Sequence, residues 1–391
     1  MSDTVVIVAE RAMPSRGGLA VATTRIAKQA LARGEAVHVM VVSKDVAPGA
    51  CVHRDDEGVH MHVVGRLPEE HDTLAALVEH TVDVATSVGA TLVHGMYAVT
   101  AGYAATVAAA RLRRSSIVSL RGNDGDRAPY RRSDLPFVSH ALSRATIVTG
   151  VTRHLCSFAA GMFDRPAHFI ANSVDATRFR PETRDNSLVA TLGLGEDPVL
   201  GYSGELREKK GMRFLLPAFA KLLQQRPARL LLVGGVRSDA VPALHEFARV
   251  APEAFSRVHV VEYARSPKRL SRLLALCDVM VFPSLQEGMP NAVLEAMAAA
   301  RPVLATAVGG HLDILEHGRT GALLGLDALD QLPQAMAEML DLPAEERAAM
   351  GSAARQHVLE HHHADAESAA WGRVYAEARA TKAFTNALVV E

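Results

Sequence analysis

Short runs of aliphatic and β-branched residues alternate along this chain with longer stretches of helical period, and the alternation occurs twice. An apolar run without polar alternation is buried on both faces, and parallel strands need a crossover, usually a helix, to connect them. The pattern therefore predicts α/β layers with parallel sheets. In the first half, strands are expected at 5–9, 37–43, around Leu92 and Val93, and at 116–120, 146–150 and 169–171. Helices are expected at 19–33, closed by Gly34, and at about 72–88 and 99–113. Residues 172–186 are polar, broken by Pro181 and without a periodic apolar face, which reads as a connector. The second half repeats the grammar, with strands at 198–202, 229–233, 258–261, 279–282 and 302–306 and a helix at 212–225. Beyond Leu329 the chain turns helical and ends in an amphipathic stretch around Trp371, Val374 and Tyr375. Two doubly wound Rossmann-like domains facing across a cleft follow, spanning 1–183 and 184–365, with ligands expected beyond the carboxyl ends of the strands.

Length and charge narrow the class. At 391 residues the chain has room for two or three domains. Its 42 Lys and Arg against 43 Asp and Glu argue against a nucleic-acid partner. Three widely spaced cysteines, Cys51, Cys156 and Cys277, build neither a disulfide framework nor a four-thiolate zinc site, which suits a reducing, cytoplasmic location. The opening MSDTVVIVAE holds an apolar run too short for a signal peptide, and no stretch reaches the length of a membrane span. Between Arg111 and Arg132 seven arginines face only Asp124 and Asp126. That stretch reads either as a solvated face or as a site for an anionic acceptor or lipid headgroups, which leaves peripheral membrane contact open.

Three loops carry candidate chemistry. The first, after the 5–9 strand, contains Gly17 and Gly18, which let the backbone approach a phosphate or sugar at a helix N-terminus. It lacks the GxGxxG spacing of a dinucleotide site, and a plain flexible turn is the alternative. The second, residues 201–220, delivers Gly204 and then Arg207, Lys209, Lys210 and Gly211 ahead of an apolar helix. Arg207 offers a planar fork and Lys210 a point charge for a diphosphate, against the alternative of a solvated charge run. The third, residues 282–306, places Glu287 and Gly288 before Met289, Pro290 and Asn291, with Pro290 expected at the first helical position and Glu295 about 7.5 Å further along the axis. One carboxylate on sugar hydroxyls, helix-terminal amides on a diphosphate and the other carboxylate on a ribose diol would make a ruler for a nucleotide sugar. Two solvated glutamates are the alternative. His94 is expected at a cleft edge, either against an acceptor or in a structural role, and no side-chain spacing calls for a metal.

Taken in order, the Gly-Gly loop, the segment from Gly204 to Gly211, the PSLQEGMPNAVLEAMAAARPVLAT stretch and the run from Val308 to Leu324 resemble glycosyltransferase family 4, retaining enzymes of the GT-B fold. Asn172-Ser173-Val174-Asp175 with Phe179 and Pro181 is similar to that family's interdomain segment. The resemblance implies that the last helix, about 366–391, crosses back to the first domain. It implies Glu287 near the donor sugar, Glu295 on the ribose and Lys210 on the diphosphate. The family's usual Arg after the Gly204 position is Glu205 here, so the guanidinium role passes to Arg207. The family's HGxD histidine is replaced by Arg121, in Leu120-Arg121-Gly122-Asn123-Asp124, so that Arg121, Asn123 and Asp124 become candidate acceptor or sugar contacts.

The expected activity is metal-independent transfer of a hexose-type sugar, with retention, from a nucleoside diphosphate, UDP favoured, to a hydroxyl of a small-molecule, glycan or lipid-linked acceptor. No resident cofactor is expected. The alternatives are a nucleotide-sugar epimerase or sugar phosphorylase on the same fold, or a noncatalytic nucleotide-sugar-binding protein.

Overall fold

A computed structural model describes residues 3–381 apart from 13, 16 and 265. Contacts divide it into two units: the described residues through Asn172 together with those from Asp365 on, and Ser173–Ala364.

The first unit is built on eight strands: β1 (Thr4–Ala9), β2 (Ala36–Ser43), β3 (Cys51–Asp56), β4 (Val59–Gly65), β5 (Leu92–Met96), β6 (Ser115–Leu120), β7 (Ile147–Gly150) and β8 (Ala167–Phe169). They stand in the order β3-β4-β2-β1-β5-β6-β7-β8, all parallel except the β3–β4 hairpin. All six residues of β1 are buried because helices cover both faces of the sheet, as its unbroken apolar run requires. The chain winds outward from β1 to β2 and then returns to lay down β5, so the switch point lies between β1 and β5.

Several elements depart from the sequence expectation. The β3–β4 hairpin was not expected, because its segments CVHRDD and VHMHVVG mix charged residues and histidines with apolar ones. The edge needs only one apolar face: Val59, Met61 and Val63 enter the core with Val39 and Ile26, while His60 and His62 point the other way. Helices Leu135–Arg144 and Arg153–Phe163 were likewise not foreseen. The arginines between 111 and 132 do not form one patch. Strand β6 separates Arg111, Arg113 and Arg114 from Arg121 onward by about 20 Å, at 3.3 Å per residue. Arg111 meets Glu79 at 2.6 Å, and Arg131 lies 3.7 Å from Asp134.

The last helix, Ala364–Ala380, joins the core of the first unit: Trp371, Val374, Tyr375 and Ala378 pack with Val5, Ile7, Ile26 and Leu92. Polar contacts fix its register, with Arg25 donating to Glu367 at 2.7 Å, Arg33 to the Ser368 carbonyl at 3.1 Å and Arg379 to Thr91 at 3.0 Å. Residues 382–391 of the expected segment lie outside the described residues.

The second unit holds β9 (Val199–Ser203), β10 (Arg229–Val233), β11 (Val258–Val261), β12 (Val279–Phe282), β13 (Val303–Thr306) and β14 (Ala322–Leu324), parallel throughout, in the order β11-β10-β9-β12-β13-β14. Its switch point falls between β9 and β12. The polar segment before it carries no regular element until Asp185 caps helix Asn186–Leu192 by accepting from the amides of Ser187 and Leu188. All three cysteines are free. Among the described residues no helix is long and apolar enough to cross a membrane.

The histidine face of the first sheet makes its acid stability testable. His38, His53, His60 and His62 cluster with ring centroids 4.7 to 5.6 Å apart, and Asp55 lies 3.5 Å from His60. Burial and then the neighbouring imidazoles push His38 and His62 down to about 4. Their folded values lie below the ordinary 6.5, so the unfolded chain binds protons first and stability falls as pH drops from 6.5 toward 4. The melting temperature should decline across that window, and a His38→Gln/His62→Gln variant should decline visibly less; parallel curves would contradict the assignment.

Candidate active site

Two loops at the switch point of the second sheet bring a cation and a carboxylate together. After β9 the chain makes a tight turn at Glu208–Lys210 and enters helix Met212–Leu223, which carries Lys210 to the carboxyl end of the sheet. After β12, the next strand over, a loop carries Glu287 to the same end. Lys210 Nζ donates to Glu287 Oε1, with side chains only 22% and 8% exposed. Ser284 Oγ donates to the same oxygen at 2.8 Å. Burial alone would raise the Glu287 carboxyl, but the Lys210 ammonium overrides it and holds the group below its ordinary value.

The loop after β13 closes on this pair from behind. Gly309 sits at φ +45°, so near that a Cβ there would overlap the Glu287 carbonyl oxygen, and Gly310 N–H donates to the Gly288 carbonyl at 3.0 Å. It delivers His311, which is fully buried. His311 Nδ1 lies 2.7 Å from the Thr306 carbonyl and must donate to it, which leaves Nε2 as a bare acceptor. That nitrogen is buried without a partner. Burial pushes the His311 imidazole below its ordinary value, against the pull of Glu287, so the ring is neutral. His311 was not among the sequence candidates; its signal is a histidine directly after Gly309-Gly310, in a motif read only for its glycines.

Arg207 lies on the β9 loop, its Nη1 3.8 Å from Glu205 and its Nε buried without a partner. Gly204 ends the strand at φ +129°. Beneath them the Tyr202 hydroxyl donates to the Glu205 carbonyl at 2.9 Å; burial, then Glu287 and Glu205, raise that phenol. Helix Asn291–Ala298 begins one residue later than expected, with Pro290 as its N-cap at ψ 111°, an extended backbone outside the helical region. Met289 and Pro290 are buried, Gly288 and Asn291 partly so, and Glu295, fifth in the helix, is half-buried.

Candidates in the first unit divide differently. Gly17 caps helix Gly18–Ala32 at φ +112°, with nothing near its Cα where a side chain would be, and Gly18 opens that helix. His94 is a structural residue: it is fully buried, with Nδ1 2.8 Å from Tyr375 Oη, Nε2 2.7 Å from Ser119 Oγ and the Trp371 ring tilted against it at 4.9 Å. Burial pushes it down to about 3, so it neither offers a nitrogen to an acceptor nor carries charge. Asp124 is also turned inward, accepting from the amides of Arg121 at 2.9 Å, Gly122 at 2.7 Å and Ala98 at 3.1 Å. It clamps the loop instead of contacting a sugar. Asn123 opens the short helix Asn123–Asp126. Arg121 is half-buried and donates to Asn172 at 2.7 Å; burial and then Arg25 bring it to about 10, so it stays charged. Glu10, the residue straight after β1, was overlooked: burial and then Asp124 raise it to about 7. Among the described residues no three His, Cys, Asp or Glu side chains are grouped to hold a metal ion.

Comparison with known proteins identifies the class. Residues 197–341, which contain Lys210, Glu287, Glu295 and His311, match the family described as Glycosyl transferases group 1. The N-acetyl-alpha-D-glucosaminyl L-malate synthase of Bacillus anthracis is 26% identical over 89% of this chain and 90% of its own length. The D-inositol 3-phosphate glycosyltransferase of Rhodococcus opacus (strain B4) is 31% identical over 48% of this chain, and the match spans 43% of that protein, under half its length. The sucrose-phosphate synthase structure from Thermosynechococcus elongatus superposes with a TM-score of 0.79 at 20% identity, covering 96% of this chain and 98% of that one. The fold is GT-B, residues 197–341 carry the Glycosyl transferases group 1 match, and the chain is similar to glycosyltransferases of family 4.

The buried ion pair predicts an inverted pH response. Lys210→Met leaves Glu287 buried without its cation, which should cost about 3 to 5 kcal/mol near neutral pH. In that variant burial raises the carboxyl above its unfolded value, so its deficit relative to the wild type should shrink as pH falls from 8 to 5. Adding Glu287→Gln should recover most of the loss. Chemical denaturation at several pH values measures all three, and additive losses would rule out the pairing.

Proposed function

We propose that this chain is a retaining glycosyltransferase that moves a hexose-type sugar from a nucleoside diphosphate, UDP favoured, to an acceptor hydroxyl. The observation that carries this reading is the Lys210–Glu287 pair at the β9/β12 switch point, with Arg207 on the same β9 loop as the lysine. Cleavage of an anomeric bond builds positive charge on the sugar and negative charge on the departing diphosphate. A fixed carboxylate beside fixed cations matches that separation in sign. Lys210 and Arg207 take the diphosphate, amides near Asn291 assist, Glu287 lies by the sugar, and Glu295 accepts from the ribose diol. With these cations at the leaving group a divalent ion is dispensable.

No candidate side chain is a convincing nucleophile, so a front-face route is favoured, in which a donor phosphate oxygen receives the acceptor's proton as the new bond forms. The names of two relatives contain small hydroxylated anions, an inositol phosphate and malate. That class suits the charged Arg121, which is our candidate for the acceptor's anionic group.

Kinetics and calorimetry separate the roles of the two glutamates. Glu287→Gln should lower kcat by about a hundredfold, near 2.7 kcal/mol, while the affinity for free nucleoside diphosphate barely changes. Glu295→Gln should weaken donor and free nucleotide alike, by about 1 to 3 kcal/mol. Wild-type rates should be the same with a chelator present. Equal loss of nucleotide affinity in both variants would overturn the assignment, and donor binding without transfer to any acceptor would mark a binding protein.

A further inference from the structure

Glu205 puts a negative charge where a diphosphate site has most use for a positive one, and the surrounding backbone shows what compensates it. The loops that follow β9 and β10 are laced together. Leu206 N–H donates to the Gly235 carbonyl at 3.0 Å, Arg237 N–H donates to the Leu206 carbonyl at 3.0 Å, and Leu206 and Val236 form a parallel bridge. Gly234, at φ +152°, passes so close that a Cβ would overlap the Gly204 carbonyl oxygen. This lacing carries Arg237, remote in sequence from the lysine-bearing turn, to the flank of Glu205.

The Glu205 carboxylate stands between two guanidiniums, with Oε2 3.8 Å from Arg207 Nη1 and Oε1 3.8 Å from Arg237 Nη1. Both separations exceed hydrogen-bond length, so the carboxylate attracts the two forks without consuming their donors. Arg207 Nε is buried and unpartnered, while the Arg237 side chain is 49% exposed and open to a ligand. Around this end of the sheet Arg207, Arg237, Lys209 and Lys210 carry positive charge among the carboxylates of Glu205, Glu208, Asp239 and Glu287. Paired guanidinium forks suit the oxygens of a diphosphate.

We propose that Arg237 is a ligand of the donor diphosphate and that Glu205 is a positioning residue, holding Arg207 and Arg237 as a pair toward it. This rests on the nucleotide-sugar reading above. The guanidinium missing from position 205 is thereby supplied from the neighbouring loop, and the carboxylate in its place organises the binding group.

Calorimetry with UDP and with GDP tests this, using the full chain and thermal melts to check folding. For whichever nucleotide the wild type binds, Arg237→Ala should weaken affinity at least tenfold, and Arg237→Lys should recover part of the loss. Arg249→Ala, which removes an exposed arginine paired with Glu246 elsewhere in the unit, should change nothing. Glu205→Gln removes a negative charge and would tighten binding if the carboxylate merely repelled phosphate. As a positioning residue its loss should instead weaken the diphosphate at least threefold, with Glu205→Asp retaining more. Unchanged affinity in Arg237→Ala, or tighter binding in Glu205→Gln, overturns the inference while leaving the donor reading intact. A wild type that binds neither nucleotide overturns the donor reading and this inference with it.

Discussion

A carboxylate that is 8% exposed stays ionised in this protein because one ammonium is held against it. Much of the second unit serves that contact. Strands β9 and β12 are neighbours in the sheet, so their carboxyl-end loops meet, and the glycines of the β13 loop let its backbone press against Glu287 and Gly288. Ser284 shares the Glu287 oxygen, and Thr306 connects Ser284 to His311 by hydroxyl and carbonyl respectively. Such a pair is expensive to desolvate, and well-packed apolar residues would stabilise the unit as well or better. Its presence at the carboxyl ends of the strands is therefore best understood as preorganised charge, paid for by the surrounding packing and available to a polar substrate.

The first unit handles polarity in the opposite way. Several of its buried polar groups satisfy one another: His94 is held between Tyr375 and Ser119, Asp124 takes three backbone amides, and Glu367 takes Arg25. Each bond ties a strand end or loop to another part of the unit, and two of them depend on the final helix. That helix is thus part of the core, and Trp371 and Tyr375 place it among the largest buried side chains of the protein. Arg121 stands apart because it keeps its charge at the carboxyl end of β6, with Asn172 as its neighbour.

The buried parallel strands were legible in the sequence because burial on both faces leaves an unbroken aliphatic run, as in VVIVA and RLLLV. The β3–β4 hairpin was not, since an edge with one polar face dilutes the signal with histidine and aspartate. Lys210, Glu287 and Glu295 were legible as a motif, and the strand order explains why the first two meet. The sequence left the role of His94 open and did not show Asp124 turning inward, because position at a strand end shows that a side chain is near the carboxyl edge but not whether it points outward or into the core. Arg237 beside Glu205 and His311 behind Glu287 were not legible for a complementary reason: what brings them there is lacing between loops, a long-range backbone contact with no local periodicity.

The account stands on the location of the donor group, and hydrogen exchange read by mass spectrometry, with and without saturating UDP-glucose or GDP-mannose, tests it most directly. Amides of residues 204–211, 234–237, 287–291 and 309–311 should slow with the nucleotide sugar that binds. Protection absent from all four segments, or confined to the first unit, would contradict it.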